Sequence, residues 1–83
     1  MELKELATKT RILEGAGYRY SFDREVYFNR QAKKAFSVEF VEDRSEDEIE
    51  QLIRDNAPST NWRFFFVEPP SAAVERELAN ILG

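Results

Sequence analysis

Basic and aromatic side chains alternate along residues 18–34, whose sequence is YRYSFDREVYFNRQAKK. Arginine and lysine bind phosphates, and aromatic rings stack on bases, so this composition is typical of proteins that bind nucleic acids. The candidate phosphate ligands are Arg24, Arg30, Lys33 and Lys34, which we expect at the tip of a hairpin. We favour the alternative of an ordinary hairpin with buried rings, because the sequence lacks the glycine-rich aromatic signature of sheet-based RNA-binding domains.

Several kinds of catalytic and metal chemistry are excluded by composition. Histidine and cysteine are absent from the 83 residues, which excludes Ser-His and Cys-His nucleophiles and zinc sites built from those ligands. The spacing Asp43-x-Ser45-x-Asp47 matches the first ligands of a calcium loop, but Glu48 replaces its turn glycine and Arg54 replaces its closing carboxylate. We therefore expect neither a metal nor a cofactor.

A pair of carboxylates is the remaining source of acid–base chemistry. Glu25 and Glu39 are candidates, because each lies in a segment with strand-like alternation and the two could face each other across strands. Nothing in the surrounding sequence indicates a cleft that would exclude water from them. We keep a carboxylate-dependent enzyme as an alternative and expect that the protein is not an enzyme.

The net charge of −4 is distributed unevenly. Residues 1–37 hold eight Lys/Arg and five Asp/Glu, whereas residues 38–83 hold four and eleven. An acidic protein has little general affinity for polyanions, although a local basic patch can still bind them. The sequence contains no apolar run of membrane-spanning length and no signal-peptide-like segment near residue 1, so we expect a cytoplasmic protein.

Hydrophobic periodicity predicts one α+β domain over residues 1–83. Helical spacing predicts helices over residues 2–14, from residue 46 after the capping box formed by Ser45 and Glu48, and after Ser71. Alternation predicts three consecutive antiparallel strands between residues 18 and 41, and WRFFFVE at 62–68 predicts a fourth strand inside the sheet. The expected fold is a single, mostly antiparallel four-stranded sheet with helices, in the order α-β-β-β-α-β-α.

Strand alternation also assigns side chains to two faces of this sheet. We expect the even-numbered aromatic residues from Tyr18 to Phe40, including Phe22, to pack against the helices. The candidate partner-binding residues are odd-numbered and are expected together on the outer face: Arg19, Tyr27, Asn29, Arg63 and Phe65. Arginine and aromatic residues are enriched at protein interfaces.

These patterns favour a small, non-catalytic protein-interaction or regulatory module. Its partner would be another protein or a second copy of the chain, since three helices exceed what one face of a four-stranded sheet requires. Nucleic-acid binding through the basic hairpin is the main alternative.

Overall fold

The computed structural model describes residues 3–55 and 61–83, which form four helices and four strands. In chain order the elements are α1 (Leu3–Gly15), β1 (Arg19–Ser21), β2 (Val26–Asn29), β3 (Lys34–Ser37), α2 (Val38–Asp43), α3 (Glu46–Arg54), β4 (Arg63–Phe65) and α4 (Ala72–Leu82). No helix among these residues is both long and apolar enough to span a bilayer.

The strands form one sheet in the order β1-β2-β3-β4. β1, β2 and β3 are an antiparallel meander, and β4 returns parallel to β3 after α2 and α3. The predicted α+β class with a mostly antiparallel four-stranded sheet is confirmed. The predicted interior position of β4 is wrong, because β4 is an edge strand among the described residues.

Helices cover both faces of the sheet. On one face, α1, α2 and α3 contribute Leu13, Val41 and Ile49 to a core that includes Phe36. On the other face, Leu82 of α4 packs in a second cluster that also contains β4 aromatic residues. Two helical layers explain why the β4 sequence is apolar on both faces without a strand on each side of it.

The strand register contradicts the predicted distribution of side chains. Tyr20 pairs with Tyr27, Tyr27 with Phe36, and Phe36 with Phe65, so these four residues share the face covered by α1–α3, here called the three-helix face. The opposite face, here called the α4 face, carries the residues that alternate with them in the same strands: Arg19, Ser21, Val26, Phe28, Ala35, Ser37 and Phe64. The register thus puts odd-numbered β2 residues on the same face as even-numbered β1 residues.

The third predicted strand is shorter than its alternation indicated. β3 ends at Ser37, whose side-chain oxygen accepts a hydrogen bond from the Phe40 amide at 3.1 Å and thereby caps α2. Val38 and Val41 are spaced three apart, and both pack on the core of the three-helix face. A short apolar run of this kind is compatible with a helix as well as with a strand. Phe40 is buried as predicted, but it is a helical residue.

Phe22 was expected in the core and is instead 85% exposed. It lies in the four-residue loop between β1 and β2, beyond the last paired residue, Ser21. Its ring packs edge-on against Tyr20, with centroids 4.8 Å apart. Strand alternation therefore stops one residue before Phe22.

The other helix starts agree with their sequence signals. Ser45 accepts a hydrogen bond from the Glu48 amide at 3.2 Å, and Ser71 accepts one from the Val74 amide at 3.3 Å. These interactions satisfy N–H groups that have no partner within the first helical turn. The sequence predicts that Asn56 and Pro58 end the helix that begins after Ser45, and these two residues lie outside the described residues.

Candidate functional site

The five predicted partner-binding residues do not share one face. Tyr27, Asn29, Arg63 and Phe65 lie on the three-helix face, whereas Arg19 lies on the α4 face. The predicted common outer surface is therefore wrong. Whether any of these residues contacts a partner stays a prediction.

Two of these residues have clear structural contacts on the three-helix face. Tyr27 is 5% exposed, and its hydroxyl lies 2.9 Å from the Thr10 hydroxyl. Asn29 donates a hydrogen bond from Nδ2 to the Ala16 carbonyl at 3.2 Å. These contacts attach β2 to α1 and to the turn that follows it.

Arg63 and Phe65 belong to β4 and are only partly buried. The Arg63 guanidinium lies 3.3 Å from the Asp55 carboxylate, and the Phe65 ring stacks on Phe36 with centroids 4.7 Å apart. Both residues thus take part in packing while remaining accessible at the sheet edge.

The predicted basic hairpin tip is divided between the two ends of the sheet. Arg24 lies in the loop between β1 and β2, whereas Arg30 and Lys33 lie in the loop between β2 and β3. Consecutive loops of an antiparallel meander lie at opposite ends of its strands. Lys34 is 2% exposed and points into the three-helix layer. The four residues therefore do not form one basic patch.

Lys34 instead closes the C-terminal end of α3. Its Nζ donates hydrogen bonds to the carbonyls of Leu52 at 2.8 Å, Ile53 at 3.3 Å and Asp55. The last carbonyls of a helix have no partner within it and carry partial negative charge, so an ammonium group is a suitable cap. Burial lowers the Lys34 pKa, the adjacent Arg63 lowers it further, and Asp55 partly offsets both.

The same kind of contact occurs at the other helix ends. Each described helix has a carbonyl at or next to its C-terminus that accepts a hydrogen bond from a side chain distant in sequence. The donors are Asn29 to Ala16 after α1, Lys9 to Val41 and Glu42 of α2, Lys34 to α3, and Arg30 to Leu82 of α4. Three residues from the two predicted binding sets, Asn29, Arg30 and Lys34, thus have a structural role that the sequence pattern did not reveal.

The candidate carboxylate pair is not a cross-strand pair. Glu39 is a residue of α2, and Glu25 lies in the loop before β2 with a positive φ of 54°. Both side chains are exposed. Among the described residues, no group of three or more carboxylates could hold a metal ion.

The open edge of β4 is the most distinctive accessible feature of the described structure. The Arg63 amide donates to the Lys33 carbonyl at 2.8 Å, so the main-chain groups of Arg63 point towards β3. Successive residues of a strand direct their N–H and C=O groups to opposite sides. The Phe64 N–H and C=O therefore point away from the sheet, where no strand of residues 3–55 or 61–83 pairs with them.

Two grooves flank this edge, one above each face of the sheet. The first, here called the α3 groove, has a volume of about 690 Å³ and lies between β4 and α3. Its apolar lining comes from Phe40, Leu52 and Phe65, and its charged lining includes Arg44 and Asp55. The Arg44 guanidinium lies over the Phe40 ring, 4.8 Å from its centroid.

The second, here called the α4 groove, has a volume of about 480 Å³ and lies between β4 and α4. Trp62 and Phe64 line one side of it and are stacked, with centroids 6.2 Å apart and ring planes at 14°. The helical side includes Ala72 and Ala79, whose small side chains leave the rings accessible. Phe66 extends the row of rings, 5.8 Å from Phe64.

An exposed edge with this composition is unusual, because sheet edges are ordinarily protected by charge, proline or a covering element. The one charged side chain in β4, Arg63, is paired with Asp55. The sequence signal for the site was the aromatic run of β4, but sequence reasoning placed this run inside the sheet. Its edge position depends on strand order, which periodicity does not specify.

A third, smaller cavity of about 320 Å³ brings Arg19 of the predicted partner-binding set together with Asn29 and Arg30 near the end of α1. Asn29 already donates to the Ala16 carbonyl after α1, and Arg30 donates to the Leu82 carbonyl of α4.

Comparison of the chain with protein-family models, with curated proteins and with solved structures gives no match.

Proposed function

We propose that this protein is a small, non-catalytic interaction module that binds an extended segment of a protein along the open edge of β4. The observation that carries this proposal is the outward-pointing main chain of Phe64, which lies between the two grooves. In such binding the main-chain hydrogen bonds provide affinity, and side-chain pockets provide specificity.

The alternation of an extended ligand matches the position of the grooves. Successive side chains of a strand paired with β4 would point to opposite faces of the sheet. One set would enter the α3 groove, where Phe40, Leu52 and Phe65 form an apolar surface beside charged groups. The other set would lie against the Trp62 and Phe64 rings in the α4 groove.

The described surface gives less support to nucleic-acid binding. Lys34 and Arg30 donate hydrogen bonds to helix carbonyls, and Arg24 lies at the other end of the sheet from Arg30. A protein ligand also agrees better with the mixed charges of the α3 groove, in which Arg44 lies 3.4 Å from Glu48.

The test compares Phe64→Pro with Phe64→Ala. Both variants remove the ring, but only proline removes the outward N–H, and an edge strand tolerates proline where its N–H faces solvent. Peptides would be selected on the wild-type protein from a random library displayed on phage. We expect them to bind Phe64→Ala more weakly than wild type and to lose binding to Phe64→Pro. Equal binding to the two variants would contradict strand addition.

A second measurement uses only the wild-type protein. In the monomeric, unliganded chain, amide hydrogen exchange at Phe64 should be fast, and it should become slow once a selected peptide is bound, because a paired edge amide is protected. Amide exchange at Arg63, which already donates to Lys33, is the internal control. Saturating peptide that leaves the Phe64 exchange rate unchanged would place the binding site elsewhere.

A further inference from the structure

We propose that the strand bound by β4 is β4 of a second copy of this chain, paired antiparallel about a two-fold axis through Phe64. This inference rests on the proposed function and names its partner. A two-fold axis requires a surface that is complementary to itself. In an antiparallel register centred on Phe64, every opposed pair from Trp62 to Phe66 contains at least one aromatic residue.

The axis fixes which side chains face each other across the interface. Phe64 would lie opposite Phe64 of the second copy, and its two outward main-chain groups would form two reciprocal N–H···O=C bonds. On the α4 face, Trp62 would lie opposite Phe66. On the three-helix face, Arg63 would lie opposite Phe65. Directly opposed aromatic pairs stabilise antiparallel strands.

The Arg63–Phe65 pairing explains why the strand contains a cation at this position. Within one copy, the Arg63 guanidinium already lies 5.9 Å from the centroid of the Phe65 ring. The two-fold axis would place this cation beside a second ring in each half of the interface. No like charges oppose each other in this register, because Arg63 is the single charged residue between Trp62 and Phe66.

The grooves provide space for the incoming side chains. Trp62, Phe64 and Phe66 of the second copy would point into the α4 groove, beside the small side chains of Ala72 and Ala79. Arg63 and Phe65 of the second copy would point into the α3 groove, whose lining combines apolar Phe40 and Leu52 with acidic and basic side chains, among them Glu48 and Arg44. Both grooves therefore offer apolar surface to the incoming rings.

Two-fold pairing would also cover an edge that could otherwise lead to aggregation. A segment rich in β-forming aromatic residues at an unpaired edge can recruit further chains without limit. Two-fold pairing uses the β4 edges of both copies and forms an eight-stranded sheet, so β4 can recruit no third chain.

The test is sedimentation equilibrium of the full chain over a range of concentrations, with NMR of a sample that mixes differently labelled copies. We expect a monomer–dimer equilibrium and intermolecular contacts between the Hα atoms of Arg63 and Phe65, which form a close, non-hydrogen-bonded pair in this register. Phe64→Pro should weaken the dimer about tenfold to a hundredfold beyond Phe64→Ala, because two main-chain hydrogen bonds are lost. Phe22→Ala, which removes an exposed ring far from β4, should leave the dimerisation constant unchanged.

The outcomes separate this inference from the proposed function. A wild-type monomer that binds library-selected peptides at β4 would overturn the dimer and leave the interaction module standing. A monomer without peptide binding at β4 would overturn both. A dimer whose intermolecular contacts lie on another surface would overturn the two-fold β4 pairing, and so would a Phe64→Pro variant that dimerises as well as Phe64→Ala.

Discussion

The Nζ of Lys34 lies 2.8 Å from the carbonyl oxygen of Leu52, so a lysine of the central sheet closes the end of helix α3. The lysine side chain is almost completely buried, and it serves further carbonyls of the same helix end. A residue that sequence reasoning grouped with phosphate ligands therefore connects β3 to α3.

Replacing Lys34 with methionine should destabilise the fold. The substitution preserves most of the side-chain volume but leaves the α3 carbonyls without their donor, and each unsatisfied buried group costs about 1–3 kcal/mol. We expect the free energy of unfolding, measured by urea denaturation, to fall by at least that amount. Arg24→Met, on an exposed loop, is the control and should change it by less than about 0.5 kcal/mol. Equal stability of the two variants would contradict the capping role.

Two buried tyrosines should respond in opposite ways to loss of their hydroxyl groups. The Tyr18 hydroxyl is buried without a hydrogen-bond partner among the described residues, whereas the Tyr27 hydroxyl pairs with Thr10. Tyr18→Phe removes an unsatisfied polar group and should leave the free energy of unfolding unchanged or increase it. Tyr27→Phe should decrease it by about 0.5–1.5 kcal/mol. Thermal and urea unfolding of both variants would show the difference, and a larger loss in Tyr18→Phe would refute this assignment.

Stability should decline above pH 10 because of Tyr18. Burial raises the pKa of Tyr18 to about 12 from its usual 10.0, and the nearby Arg63 offsets this only in part. Between these values the unfolded chain loses a proton that the folded chain retains, so the free energy of unfolding falls by up to about 1.4 kcal/mol per pH unit. Tyr18→Phe should reduce this slope. It should not abolish the slope, because burial also raises the pKa of Tyr20.

Titration of Lys34 should increase the free energy of unfolding as the pH rises towards 10.5. Its folded-state pKa is lowered from 10.5, so the unfolded chain binds a proton that the folded chain releases, and stability rises with pH until 10.5 is reached. Urea titrations across the alkaline range would separate the two effects. If the free energy of unfolding fell equally steeply with pH in wild type and in Tyr18→Phe, the burial assigned to the Tyr18 hydroxyl would be contradicted.

The starts of α3 and α4 could be predicted from local sequence, whereas the sheet faces could not be read from alternation alone. Ser45 and Ser71 interact with amides three residues later, so their signals lie within a few residues. The faces depend on the loops. Each of the first two connections contains four residues, and pairing across an even loop joins Tyr20 to Tyr27 and Tyr27 to Phe36. The sequence prediction continued the even-numbered alternation through both loops, and it therefore assigned the β2 side chains to the wrong faces of the sheet.

The edge site required information that single segments do not contain. The run from Trp62 to Phe66 marked β4 as unusual, but only the pairing of β4 with β3 leaves the Phe64 main chain facing outward. In the same way, nothing near Lys34 in sequence indicates that α3 ends beside it. Strand order and helix placement are tertiary properties, and they override local pattern.

The helix-end contacts described above have a consequence for how the chain folds. Lys9 reaches Val41 across 32 positions, and Arg30 reaches Leu82 across 52. Helices α2 and α4 therefore acquire these end contacts only after distant segments have closed a long loop. Closing the loop costs conformational entropy before the contact can stabilise the helix. Early helical structure should fray at the C-terminal ends and become firm together with the sheet, so that secondary and tertiary structure form in one cooperative transition.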